Sequence, residues 1–363
     1  MVMLNRFIAT IISFATCMAV CAQETCTIKG KIEDCNLTNG GTIKTVYLTH
    51  TDEYGQKSNV AKAKVKKGTY SFKYKMAKNE PAVLYIITGF EENRNIELFV
   101  EPGVVTVNTL KATEPEQTIA CGTSTNDTFA EYKNVLKEFD AADAAKLIKR
   151  EAARIRFLID HNTSPMAPLE MERSVMPYLS ETYAEQMLKC VSTELYEHPH
   201  YLSFRNAVLA RTLKVGNEIP DIAIPQENGT TKRLNEFRGK FILLNFWAST
   251  CEASMEACET LKELYEMTKE KQEQFVIVSQ SMDKNKAAWL AAIKEKGLDM
   301  PGWVHGCDTT GETIKFFGTD KTPRMILVDP EGRAISLDMD SDEVVEKVEM
   351  ILSGDLYYLD QKE

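Results

Sequence analysis

The seven residues from Phe241 to Trp247 (FILLNFW) constrain the fold more than any other stretch of this 363-residue chain. A strand with one wet face alternates apolar and polar side chains, whereas this run holds a single polar residue, Asn245, so both faces need cover. The sequence after it supplies that cover. Ala257, Leu261, Leu264 and Met267 fall on one face of a helix that starts near Cys251. Residues 275–279 read as the next strand and Lys286–Lys296 as the next helix. Residues 325–328 and 334–337 read as two strands joined by the tight turn Asp329-Pro330-Glu331-Gly332, and 343–352 as a closing helix. Strands alternating with helices are the signature of an α/β domain, here expected over residues 213–363.

The chain is long enough for two or three domains, and its earlier parts differ in texture. Residues 1–22 read as an export signal. Arg6 gives the positive start, residues 7–21 the apolar core, and Val20-Cys21-Ala22 a site for cleavage after Ala22. A membrane anchor is the competing reading, but the apolar run is short and lacks a basic flank. Lipoprotein attachment through Cys21 is the lesser alternative, because Val20 before the cysteine fits that signal poorly. A periplasmic or exported protein, peripheral to a membrane at most, is expected.

Residues 23–125 show short β-rich runs at 27–32, 43–48, 69–74, 83–87, 96–100 and 104–107. Turn residues at Asn39-Gly40-Gly41, Lys67-Gly68 and Pro102-Gly103 separate them, a pattern that fits a small β-sandwich. Over 126–212 the period becomes helical. Ile148, Ala152, Ile155 and Ile159 share a face, as do Tyr183, Met187, Cys190 and Leu195, so this stretch reads as a helical connector, with Cys190 in its core. Thr163-Ser164-Pro165 and His198-Pro199-His200 interrupt it. Two histidines around a proline, with no further ligand cluster, read as a turn and not as a metal site.

Charge and cysteine content narrow the chemistry. With 43 basic and 53 acidic residues the formal charge is −10, and without an arginine-rich stripe nucleic acid is not an expected partner. Seven cysteines follow the signal: Cys26, Cys35, Cys121, Cys190, Cys251, Cys258 and Cys307. An odd number leaves one thiol unpaired within the chain, and their spacing does not suit structural zinc. Cys26 and Cys35 read either as a bridge between neighbouring strands or as packing or free thiols.

Four stretches carry a family resemblance. Residues 215–222 (VGNEIPDI) resemble the entry strand of exported thioredoxin-like reductases of the TlpA/ResA kind, which share this region with the AhpC/TSA superfamily. Residues 234–240 (LNEFRGK) resemble the segment before their central strand, and 244–251 (LNFWASTC) their active-site approach. Thr322-Pro323, followed by the strand and turn ending at Gly332, resembles their cis-proline and hairpin. The β-rich and helical parts resemble the extension often found ahead of such domains. The resemblance implies an α/β thioredoxin-like C-terminal domain, preceded by a small β-sandwich and a helical connector. It also implies thiol–disulfide chemistry with no cofactor and a cis Pro323. The site would place Cys251, Ser254 and Pro323 at the chemistry and Thr322 and Trp247 against substrate. Protein or small-molecule disulfides and thiols would be the substrates, with a periplasmic electron donor.

The chemistry has a physical basis. A cysteine at the first turn of a helix lies beside unpaired backbone N–H groups and the positive end of the dipole, both of which favour the thiolate that attacks disulfides. The sequence also departs from the family pattern. Where the family has C-x-x-C, this chain has Cys251-Glu252-Ala253-Ser254, so Ser254 replaces the resolving cysteine. Thr250 stands in place of a tryptophan, and Asn245 lies where thioredoxin has a buried acid. Glu252 is expected to push the Cys251 thiol up. Cys258 lies two helical turns on, about 10 Å along the axis, beyond the roughly 7 Å between Cα atoms that a disulfide tolerates. It reads as a buried small residue or, if the helix start unwinds, a resolving thiol. Cys307, in a loop after Trp303-Val304-His305-Gly306, is the other candidate. Leu244 and Ala248 occupy the positions of the peroxiredoxin proline and hydroxyl, so peroxide chemistry is not expected. Three readings stay open: monothiol exchange at Cys251, a degenerate thioredoxin-fold binding module, and a structural envelope protein.

Overall fold

A computed structural model describes residues 24–52, 56–91, 94–137, 144–317 and 321–354. The expected signal segment, with its cleavage site after Ala22, lies outside the described residues. The first elements are β1 (Glu24–Asp34), β2 (Thr45–Thr51), β3 (Lys57–Lys64), β4 (Thr69–Met76), β5 (Val83–Thr88), β6 (Ile96–Val100), β7 (Gly103–Lys111) and β8 (Ala120–Cys121). They form two four-stranded sheets, ordered β4-β1-β7-β8 and β3-β2-β5-β6. Alternate residues of the two sheets, among them Ile28, Val105, Leu48 and Ile87, meet in one apolar core, as a sandwich requires. Strand β3 is not among the expected runs. Its sequence KSNVAKAK lies at a sheet edge and is mostly exposed, and an edge strand held by backbone pairing needs no apolar alternation.

The helical part comprises α1 (Ser124–Lys137), α2 (Ala144–Asp160), α3 (Met166–Glu170), α4 (Glu181–Lys189) and α5 (Pro199–Arg211). The expected apolar faces are corrected here. Ile148 is 72 % exposed and Ile159 is also exposed, while Phe157 and Leu158 are the residues α2 buries. Of the second expected face, Met187 and Leu195 are buried, joined by Ala184, whereas Tyr183 is exposed. The histidines around Pro199 open α5. His198 Nδ1 accepts from the His200 amide at 3.1 Å, and His200 Nε2 accepts from the Leu84 amide of β5 at 3.1 Å. Phe99 of β6 packs in the helical core, and its amide donates to Asn126 Oδ1 at 2.9 Å, so sandwich and helices are joined by apolar and polar contacts alike.

The remaining elements are β9 (Ala223–Pro225), β10 (Thr231–Arg233), β11 (Phe241–Trp247), α6 (Glu252–Thr268), β12 (Phe275–Ser281), α7 (Lys286–Lys296), β13 (Val304–Cys307), α8 (Glu312–Phe317), β14 (Arg324–Val328), β15 (Ala334–Met339) and α9 (Ser341–Ser353). The main sheet runs β13-β12-β11-β14-β15, with β12 and β13 running parallel to β11, β14 antiparallel to β11, and β15 antiparallel to β14. β11 is central, and strand alternation divides its side chains between two cores. Leu243 and Trp247 face α6, α7 and α9; Ile242, Leu244 and Phe246 face α8 and Ala207 of α5. The fold is therefore a thioredoxin-like α/β domain behind a β-sandwich and helices. Three details differ from expectation. Residues 215–222 form no strand but carry an isolated bridge between Glu218 and Arg333. Met267 of α6 is exposed. Cys307 ends β13 and does not lie in a loop.

Candidate active site

Strand β11 delivers the chain to the carboxyl edge of the sheet, where residues 248–251 turn into α6. Cys251 is the N-cap of that helix; its amide donates to Ala248 O and its carbonyl accepts from Met255 N, both at 3.1 Å. The approach to the cysteine is held from β12's far end. The buried Asp283 carboxylate accepts from the Ser249 amide at 3.0 Å, the Ser249 hydroxyl at 2.9 Å and the Ser281 hydroxyl at 2.7 Å. Sequence reasoning missed Asp283, because the contact spans 34 residues of chain. No local pattern marks it.

The Cys251 side chain is half-buried, and its Sγ donates to the carbonyl oxygen of Thr322 at 3.1 Å. The Thr322–Pro323 peptide bond is cis. The structure thus brings Cys251, Ser254, Thr322 and Pro323 into one site from two distant parts of the chain. The Cys251 thiol is held below its ordinary value, chiefly by hydrogen bonding with the Ser254 and Thr322 hydroxyls; burial opposes them, and the Ser254 and Ala253 amides add to them. While the thiol is protonated, the Ser254 hydroxyl, 1 % exposed, has no hydrogen-bond partner. An ionised sulfur supplies the acceptor it lacks, which stabilises the thiolate over the thiol. Glu252, expected to push the thiol up, is exposed on the first turn, where solvent screens it and the hydrogen bonds prevail.

The other candidates take different places. Trp247 is 1 % exposed and packs in the core, so its expected contact with substrate is corrected: it supports the site from beneath. Cys258 is buried one turn beyond Ser254 and donates to Ser254 O at 3.2 Å; burial pushes its thiol up to about 11. Cys307 is buried and donates to Asp283 O at 3.3 Å, with its thiol likewise pushed up to about 11 by burial. Both sit in the core around Trp247, and each donates to a backbone carbonyl. All seven cysteines of the described residues are free, Cys26 in the sandwich core among them. Asn245 is buried and donates to Ser279 Oγ at 3.3 Å. Among the described residues no group of three or more His, Cys, Asp or Glu is placed to hold a metal ion, and no helix is long and apolar enough to cross a membrane.

Beside Pro323 lies an open groove of about 470 Å³, floored by Ala257, Met325 and Met339. It lies between α6 and the β15–α9 junction.

Parts of the chain are similar to known proteins. Residues 214–352 match the Redoxin family, and residues 26–129 match a domain of unknown function, DUF4369. The thiol-disulfide oxidoreductase ResA of Bacillus thuringiensis subsp. konkukian is 29% identical over 123 residues, 34% of this chain and 68% of that protein. Among solved structures, a thiol-disulfide oxidoreductase from Bacteroides fragilis is 32% identical, covering 37% of this chain and 99% of that one with a TM-score of 0.34. The thioredoxin domain of a thiol-disulfide oxidoreductase from Bacteroides vulgatus is 27% identical, covering 38% and 98% with a TM-score of 0.35. The chain is a TlpA/ResA-like thioredoxin-fold protein in which a Redoxin domain follows an N-terminal DUF4369 domain.

Proposed function

We propose that this protein is an exported thiol–disulfide oxidoreductase that uses Cys251 alone as its nucleophile. The observation that carries this is the state of one sulfur. Cys251 is half-exposed at a helix start with its thiol held down, whereas burial pushes Cys26, Cys35, Cys258 and Cys307 up. A thiolate in reach of solvent is the attacking species in exchange; a buried thiol is inert. The same lowered thiol weighs against a purely binding or structural role, since neither needs it.

The steps balance without a cofactor. The Cys251 thiolate attacks one sulfur of a substrate disulfide, the S–S bond breaks, and a mixed disulfide forms on Cys251. The released sulfur leaves as a thiolate and takes a proton from water. A second thiolate, from the substrate or from a small or protein thiol acting as electron donor, then attacks the mixed disulfide and returns Cys251 to its thiolate form. Ser254 donates to the sulfur whenever it is anionic. The backbone of Thr322 offers an extended substrate segment main-chain pairing beside the sulfur. The signal-like residues 1–22 and the thiol chemistry agree on an oxidising compartment outside the cytoplasm, such as the periplasm. With mature protein and a disulfide-linked reporter peptide, Cys251→Ser is expected to reduce the exchange rate to the uncatalysed background. Equal rates for the variant and the parent protein would reject the assignment.

A further inference from the structure

We propose that the groove beside Pro323 seats an extended, positively charged stretch of a polypeptide substrate, so that the site selects its disulfides by the charge around them. The inference rests on the exchange reading for the sulfur that is attacked, and its charge selection can be measured separately.

The groove has an apolar floor and an acidic rim formed by Glu256, Asp338 and Asp340. Two of these acids have structural work. Asp338 pairs with Arg324, and Asp340 caps α9 by accepting from the Glu343 amide at 2.9 Å. Glu256 has none: it is exposed on α6 and makes no ion pair among the described residues. Glu252, one turn earlier and next to Cys251, is in the same position. Like charges at i and i+4 on a helix repel and reduce its stability. The next acid on the helix, Glu259, is paired with both Lys262 and Lys296. Two unpaired acids, Glu252 and Glu256, thus stand one turn apart where the helix borders the nucleophile and the groove. An incoming cation relieves that repulsion. Lysine and arginine also fit the floor, because their aliphatic stems pack on apolar surface while their heads stay at a wet rim. Met325 and Met339 provide an adaptable surface for such stems.

The test uses two cysteine peptides, each disulfide-linked to the same reporter thiol and differing only in lysine or glutamate on either side of the cysteine. Exchange rates are measured with the parent protein. Serine versions of both peptides are titrated against Cys251→Ser protein by fluorescence anisotropy, which reads binding without chemistry. The lysine peptide is expected to bind and react about tenfold better at low salt, with the gap narrowing as salt is raised. Glu256→Gln is expected to shrink the gap about threefold, while Glu194→Gln, an equal change of charge on the remote helical part, leaves it alone. Equal binding of the two serine peptides overturns the proposal. So does an equal response to Glu256→Gln and Glu194→Gln, which assigns the preference to the protein's overall acidity. If neither disulfide peptide exchanges while the serine peptides keep the charge preference, the groove assignment stands and the exchange reading falls.

Discussion

A sulfur that gives up its proton needs donors within reach, and Ser254 is the residue best placed to provide one. Its hydroxyl is buried at the start of α6 without another partner, so its hydrogen bond forms when Cys251 ionises. On the proposed exchange reading, the position that would hold a resolving cysteine in a two-thiol site serves instead to stabilise the first thiolate. Ser254→Ala is accordingly expected to slow alkylation of Cys251 by iodoacetamide at neutral pH about five- to tenfold, the effect of losing one hydrogen bond to an anion in a partly wet site. The rate should rise with pH in both proteins and level off at a higher pH in the variant. Equal profiles would remove Ser254 from the site. Trp247 shows the limit of motif reading at this scale. The order of residues leading to Cys251 located the tryptophan, but strand alternation aims its side chain along with that of Leu243 into the core.

At the scale of elements, the site is a junction of three pieces: the end of β11, the first turn of α6, and the turn before β14. The first two were legible, because an unbroken apolar strand followed by a helical stripe leaves little freedom in how they pack. The brace on the loop between them was not, since Asp283 arrives from the end of β12. Asp283→Ala leaves the Ser249 amide and two serine hydroxyls without their acceptor. It is expected to lower stability by about 2–4 kcal/mol in urea unfolding and to change the alkylation rate of Cys251. A loss below about 0.5 kcal/mol with an unchanged rate would show that the loop holds its shape without this carboxylate. Helix α2 and strand β3 show why other elements were misread or unseen. A helical period says that an apolar stripe exists, not which stripe the neighbours cover, and α2 turns Phe157 and Leu158 inward while Ile148 faces solvent. Strand β3 is fixed by pairing with β2, which leaves no mark in its own sequence.

Across the whole molecule, α5 ties the parts together. Phe204 and Val208 pack in the helical core, and Ala207 packs against the second face of the main sheet. Asn206 Nδ2 donates to Asp221 O at 2.9 Å, and Arg205 pairs with Glu218. At its amino end His200 accepts from β5 and must be unprotonated to do so. Burial depresses His200 to about 3 and His305 to about 4, from 6.5. Below pH 6.5 the unfolded chain therefore binds protons that the folded chain refuses. Stability should fall as pH drops from about 6.5 toward 4, by up to about 1.4 kcal/mol per pH unit for each histidine. Urea unfolding at pH 7, 6 and 5 measures this, and His200→Asn should flatten the slope; an unchanged slope would mean that His200 titrates alike in both states. The central claim concerns the lone nucleophile, and one measurement addresses it most directly: mass mapping of adducts trapped by rapid acid quench after mixing reduced protein with a disulfide-linked peptide. The expected result is a single mixed disulfide on Cys251 that persists until an outside thiol is added, with Cys258 and Cys307 unmodified. An adduct on either of those cysteines, or rapid formation of a bridge between Cys251 and another cysteine of the chain, would contradict it.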